Sequence, residues 1–96
     1  IEDQPLQNPV NFKLIGNYPN PFNNQTKISF QLSQTEHVEL SVYNIVGQKI
    51  KTLISEEYSA GTQSIGFNSH GLASGVYFYK LKTNTGMMVK QMMLLK

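Results

Sequence analysis

The sequence predicts an all-β domain, a small antiparallel β-sandwich of about seven strands. Three observations carry that expectation. Apolar and polar residues alternate in short runs, as they do on a half-buried strand. Glycine, proline, asparagine and serine interrupt those runs every few positions. No stretch sustains the period of an amphipathic helix. A small barrel has the same strand count and differs only in closure, which alternation does not report.

The chain has 96 residues, enough for one domain with a limited core. Residues 1–11 hold two prolines, two acids and no periodicity, and read as a linker or the end of a preceding region. Residues 12–96 are the expected domain. Residues 12–18 supply a short first strand through Phe12 and Leu14, weakened in its middle by Gly16. The stretch Y-P-N-P-F at 18–22 follows. Pro19 and Pro21 flank Asn20, and each holds the residue before it in an extended or turn conformation. This turn is expected to pin the entrance to the domain, with Tyr18 and Phe22 both anchoring in the core.

Residues 26–32 alternate clearly, with Ile28, Phe30 and Leu32 on one face. Residues 36–43 do the same: Val38, Leu40 and Val42 point inward, and His37, Glu39 and Ser41 outward. Gly47 closes the turn at 44–47. Residues 48–54 break strict alternation at Ile50, Leu53 and Ile54, which suggests a bulge. Glu56 and Glu57 read as an exposed turn. Residues 62–67 repeat the pattern through Ile65 and Phe67. Residues 76–82 carry large residues on both faces, Tyr77, Tyr79 and Leu81 against Val76 and Phe78, as a central strand does. T-N-T-G at 83–86 signals a compact hairpin, though not of the tightest type. The final strand, 87–96, sets Met88, Met92 and Leu94 against Val89, Met93 and Leu95.

Composition narrows the chemistry. There is no cysteine, so disulfides and thiolate metal sites are excluded. No stretch is apolar enough to span a bilayer as a helix. The formal charge is +2, all of its basic side chains are lysines, and they are scattered along the chain. Nucleic-acid readers cluster Arg with Lys, so this pattern reads as a solvated surface, weakly basic around Lys80, Lys82, Lys90 and Lys96.

The residues offer no catalytic set, cofactor site or metal site. His37 falls on a polar strand face. His70 lies in N-S-H-G beside Ser69, with no orienting group or oxyanion donors in view. Glu36 and Glu39 project from opposite faces of one strand. Glu56 and Glu57 lack the spacing of a calcium loop. The aromatic run 77–79 reads as core before it reads as a stacking platform, and the methionines at 87, 88, 92 and 93 as adaptable packing. Asn24-Gln25-Thr26 matches a glycosylation acceptor, a pattern too short to carry weight.

Five blocks stand in order: Y-P-N-P-F-N-N-Q-T-K-I-S-F-Q-L (18–32), V-E-L-S-V-Y-N-I-V-G-Q-K-I (38–50), A-G-T-Q-S-I-G-F (60–67), L-A-S-G-V-Y-F-Y-K-L (72–81) and K-Q-M-M-L-L-K (90–96). Together they closely resemble the type A C-terminal sorting domain of the type IX secretion system of Bacteroidetes. Hook-capping immunoglobulin-like domains resemble the middle blocks but fit the last one less well.

The resemblance implies an immunoglobulin-like Greek key and a non-catalytic role. Such a domain is an address that takes an N-terminally attached cargo protein from the periplasm across the outer membrane, to the cell surface or medium. The implied partners are the outer-membrane translocon and a cell-surface sorting peptidase. Pro19, Asn20, Pro21, Gly47, Gly61, Gly75 and Tyr77 match the family's structural motif. Lys90, Met92, Met93, Leu94, Leu95 and Lys96 match the terminal block, which the resemblance implies is what the translocon recognises. Without the resemblance, a carbohydrate-binding module or a structural spacer of a secreted enzyme fits the same residues.

Overall fold

The computed structural model describes residues 12–96. The expected linker, 1–11, lies outside the described residues. Seven strands follow in order: β1 (Phe12–Tyr18), β2 (Gln25–Leu32), β3 (Glu36–Tyr43), β4 (Lys49–Tyr58), β5 (Gly61–Asn68), β6 (Gly75–Thr83) and β7 (Gly86–Leu94). They form two antiparallel sheets, β1-β2-β5 and β4-β3-β6-β7. The chain leaves the first sheet after β2, makes the β3–β4 hairpin in the second, returns to lay β5 beside β2, and crosses again to lay β6 beside β3. That is a Greek-key sandwich, and it answers the question of closure.

Each strand contributes one alternating set to the space between the sheets. Ile28, Phe30 and Leu32 meet Val38, Leu40 and Val42 from β3, and Tyr77, Tyr79 and Leu81 from β6, all at most 8% exposed. Burying a side chain of this size contributes about 1.5–3 kcal/mol. Two edge-on ring pairs tie the layers, Phe22 with Phe67 at 6.1 Å and Phe30 with Tyr58 at 5.9 Å. Tyr77 Oη donates to the carbonyl of Ala73 at 2.7 Å, the tyrosine corner found where such sandwiches enter a central strand.

The sequence expectations hold for the strand set and need correction at three places. Tyr18 does not anchor: it is 83% exposed, and Phe22 alone carries the Y-P-N-P-F turn into the core. Glu56 and Glu57 are not in a turn but in β4, paired with Val38 and His37. The hairpin at 83–86 has a loop of just Asn84 and Thr85, since Thr83 already pairs with Gly86. Glu36 shares the inward face of β3, opposite Glu39 as their spacing implies, and is 2% exposed, with no hydrogen-bond partner for either carboxylate oxygen.

The irregularity expected in residues 48–54 is present. The register with β3 shifts twice, beside Leu53 and beside Ile50, so that both, with Ile54, pack against the core. A further shift at Ile15 re-aims β1 around Gly16. Gly47 has φ +85° with open space where a Cβ would go, so backbone conformation and not crowding calls for glycine. Asn44 holds that turn, accepting from the amides of Val46 and Gln48 on its side-chain oxygen.

Candidate functional site

The final block and the Y-P-N-P-F turn, separated by the whole domain in sequence, meet in the structure. β7 is an outer strand. One edge pairs with β6 along its whole length, from Thr83↔Gly86 to Gly75↔Leu94. On its other edge, Phe22 forms a parallel bridge to Leu94. The Phe22 amide donates to the carbonyl of Met93 at 2.9 Å, and the Leu95 amide donates to the carbonyl of Phe22 at 2.9 Å. Between them, the Met93 amide donates to Asn20 Oδ1 at 3.0 Å. The Lys96 amide donates to Ser74 Oγ at 2.9 Å.

Local sequence explains why the turn can do this. Its prolines have no N–H to satisfy. The carbonyl of Pro19 accepts from Thr26 Oγ1 at 2.8 Å, and Asn17 Nδ2 donates to the same hydroxyl at 3.1 Å. Behind it, Ser69 Oγ donates to the carbonyls of Asn23 and Asn24. The turn is therefore fixed to β1, β2 and the loop after β5 before it reaches β7.

The expected recognition residues divide by strand alternation. Met92 and Leu94 are 1% and 0% exposed and belong to the core. Met93 is half-buried on the outer face of the four-stranded sheet. Lys90, Leu95 and Lys96 are exposed. Lys90 shares the inward register of Met92, pairs with Tyr79, and emerges at the open side of the sandwich, in a cleft of about 350 Å³ shared with Gly16, Asn17 and Asn20.

The motif residues are scattered over the fold. Pro19, Asn20 and Pro21 form the clamp. Gly47 ends the β3–β4 turn, Gly61 opens β5, and Gly75 opens β6 opposite Leu94. Tyr77 is the corner. They build and brace the sandwich around β7 and make no single pocket.

Sequence reasoning passed over the outer face of the four-stranded sheet. Tyr43, Phe78, Lys80 and Val89 line an apolar cleft of about 250 Å³ below Ile45. Ile45 and Val46 are 70% and 73% exposed at the tip of the β3–β4 turn. Lys80 Nζ lies 5.1 Å from the Tyr43 ring centre. Beside it, Lys49 and Glu39 pair at 3.1 Å; the hydrogen bond and charge of Lys49 hold the Glu39 carboxyl below its usual range and raise Lys49 in turn. Alternation had already set Val76, Phe78, Val89, Met93 and Leu95 opposite the core residues; what it did not show is that β3 and β6 bring Tyr43 beside Phe78 on that face.

Nothing at these positions assembles a reaction centre. Ser69 spends its hydroxyl on backbone carbonyls, and exposed His70 offers its amide to Asn68 Oδ1. Among the described residues, no three His, Asp or Glu side chains are grouped to hold a metal ion.

Comparison with known proteins gives two matches. The family model described as "Secretion system C-terminal sorting domain" matches residues 17–95. No curated protein matches the chain. Among solved structures, dimeric latent PorU from Porphyromonas gingivalis superimposes with a TM-score of 0.71 at 17% identity, over 88% of this chain and 9% of that one. At that identity the likeness is one of fold, and this chain spans a small part of that protein's length.

Proposed function

The chain belongs to the secretion system C-terminal sorting domain family, the sorting domains of type IX export, and we propose that it carries an N-terminally attached cargo protein from the periplasm across the outer membrane by protein–protein recognition. Recognition is centred on the terminal block. Lys90, Leu95 and Lys96 meet the translocon directly, and Met93 contributes from the outer sheet face. Met92 and Leu94 hold the block in the sandwich. The cell-surface sorting peptidase acts on the same exported product.

The observation that carries this reading is the bonding of the terminal block to Asn20 and Phe22. The two ends of the family pattern are bonded into one unit, with alternate side chains turned to solvent. An address read by another protein needs that combination of fixed backbone and exposed side chains.

The test is a fusion of the 96-residue chain to an inert reporter that has its own signal peptide. It is expressed in a type IX-competent bacterium and in the same strain lacking the translocon. Surface or medium delivery in the first strain, with periplasmic retention in the second, is the expected result. Equal distribution in both would sink the reading.

A carbohydrate-binding role draws on one observation, the cross-strand pair Tyr43↔Phe78 on the outer face. Tyr18 is exposed as well, but at the Y-P-N-P-F turn and not beside this pair, while Phe30, Phe67, Tyr77 and Tyr79 are in the core and unavailable for stacking.

A further inference from the structure

We propose that the open edge of β7, from Met87 to Gln91, takes up one extended strand of a partner protein, and that this strand carries a carboxylate opposite Lys90. The proposal rests on the sorting reading and names how the strand that leads into the terminal block is read.

The ladder fixes which backbone groups are open. Strand β7 pairs with β6 without a register shift, and the two-residue loop makes Thr83 and Gly86 a mutually bonded pair. From there, even-numbered residues of β7 spend their N–H and C=O groups on β6. Odd-numbered residues turn theirs outward. At Met93 and Leu95 those outward groups are taken by Asn20 and Phe22. At Met87, Val89 and Gln91 they have no protein partner among the described residues. The chain thus caps one end of this edge with its own short strand and leaves the backbone groups of the rest of the ladder without a partner, with β1 of the other sheet running beside it, Phe12 near Gly86.

The other outer strands are poorer templates. β4 and β1 carry register shifts that interrupt a straight ladder. β5 is regular, but Thr62, Ser64 and Gly66 offer an added strand little to pack against. β7 exposes Met87 and Val89, 62% and 54% accessible, on the outer face beside the open edge. An added strand would bury them with its own apolar residues.

Charge selects the occupant. Lys90 points to the open side of the sandwich, where no described carboxylate pairs with it. A second copy of β7 running antiparallel would bring Lys90 near Lys90 across the new seam, and like charges opposite one another destabilise such a pairing. A strand with a carboxylate at that position, flanked by apolar residues on the other face, satisfies both the ammonium and the exposed methionine and valine.

The experiment uses the reporter fusion of the full chain. Gln91→Pro removes an outward N–H and blocks an incoming strand, while the bonds to β6 are untouched. Gln91→Ala changes the side chain and keeps the backbone donor. Thermal unfolding of each purified fusion establishes that it is folded. Expected is a fall in export of about tenfold or more for folded Gln91→Pro, with Gln91→Ala near the parent level. Lys90→Glu, which leaves the ladder intact, should fall likewise, and Lys90→Arg should not. Folded Gln91→Pro with normal export overturns the strand addition. Should Gln91→Pro not fold, Lys90→Glu decides: normal export overturns the proposal, and loss with Lys90→Arg retained supports it. Failure of the parent fusion to depend on the translocon would instead overturn the sorting function itself.

Discussion

Asn20 and Met93 are 73 residues apart in sequence and joined by one hydrogen bond, from the Met93 amide to the Asn20 side-chain oxygen at 3.0 Å. That bond fastens the last strand to the first loop. Asn20→Ala removes the acceptor and leaves the amide at the sandwich edge to water. A loss of about 1 kcal/mol in unfolding free energy is expected, with faster hydrogen exchange at Met93 and Leu95. Asn20→Asp keeps an acceptor and should lose less. Unchanged exchange at Met93 in Asn20→Ala would count against the clamp.

Leu94 and Leu95 are neighbours with opposite duties. Leu94→Ala empties a fully buried position and should cost about 2–5 kcal/mol in chemical denaturation. Leu95 is 54% exposed, so Leu95→Ala should leave the midpoint nearly unchanged while lowering export of a fused reporter. The same separation warns against reading truncations: deleting residues 91–96 removes Met92 and Leu94 from the core along with any address.

Glu36 is buried without a hydrogen-bond partner for its carboxylate. Polar groups held this way cost stability, and an apolar residue of similar volume removes the cost. Glu36→Met should raise the denaturation midpoint, by about 1–3 kcal/mol in unfolding free energy. A lower midpoint would show that the carboxylate is serving the fold.

Tyr79 sits in the centre of the sandwich, 1% exposed, and donates to Asn17 Oδ1 at 3.0 Å. Burial raises its phenol from 10.0 to about 12. Folding therefore favours the neutral ring. That stability is complete below pH 10 and is lost as pH rises through about 12. Tyr79→Phe gives up the hydrogen bond, about 1 kcal/mol at neutral pH, and should show a shallower fall in melting temperature over the alkaline range. Burial raises Tyr58 too, aided by Glu56, so some alkaline loss should persist in the variant.

Strand positions were legible because alternation is local. Ile28, Phe30 and Leu32, or Val38, Leu40 and Val42, declare their shared face without knowledge of a partner. The inward face of Glu36 was legible by the same parity, two residues before Val38. Tyr18 was misread because an aromatic beside proline looks like an anchor; its position outside the sandwich depends on how β1 twists past Gly16. The site was less legible than the fold. The terminal block could be aligned with a family pattern and divided in two by alternation, yet which half faces the core depends on pairing with β6. The bond between Asn20 and Met93 is longer-range still, since no spacing rule links a turn to a strand so far along the chain. A bulge in β4 was visible as broken alternation, but not that there are two, nor the continuation of that strand through Glu56 and Glu57, whose charges imitate a loop.

The parallel bridge between Phe22 and Leu94 has a mechanical consequence. Phe12 lies near Gly86, at the opposite end of β7 from Leu94. A pull on cargo joined before Phe12, resisted by a grip on the terminal block, would stretch the sandwich along its strands. The bonds of Phe22 to Met93 and Leu95 would then be loaded together in shear, where they share tension, instead of being peeled open in turn. The same short contact that orders the terminal block gives the sandwich the geometry of a tether.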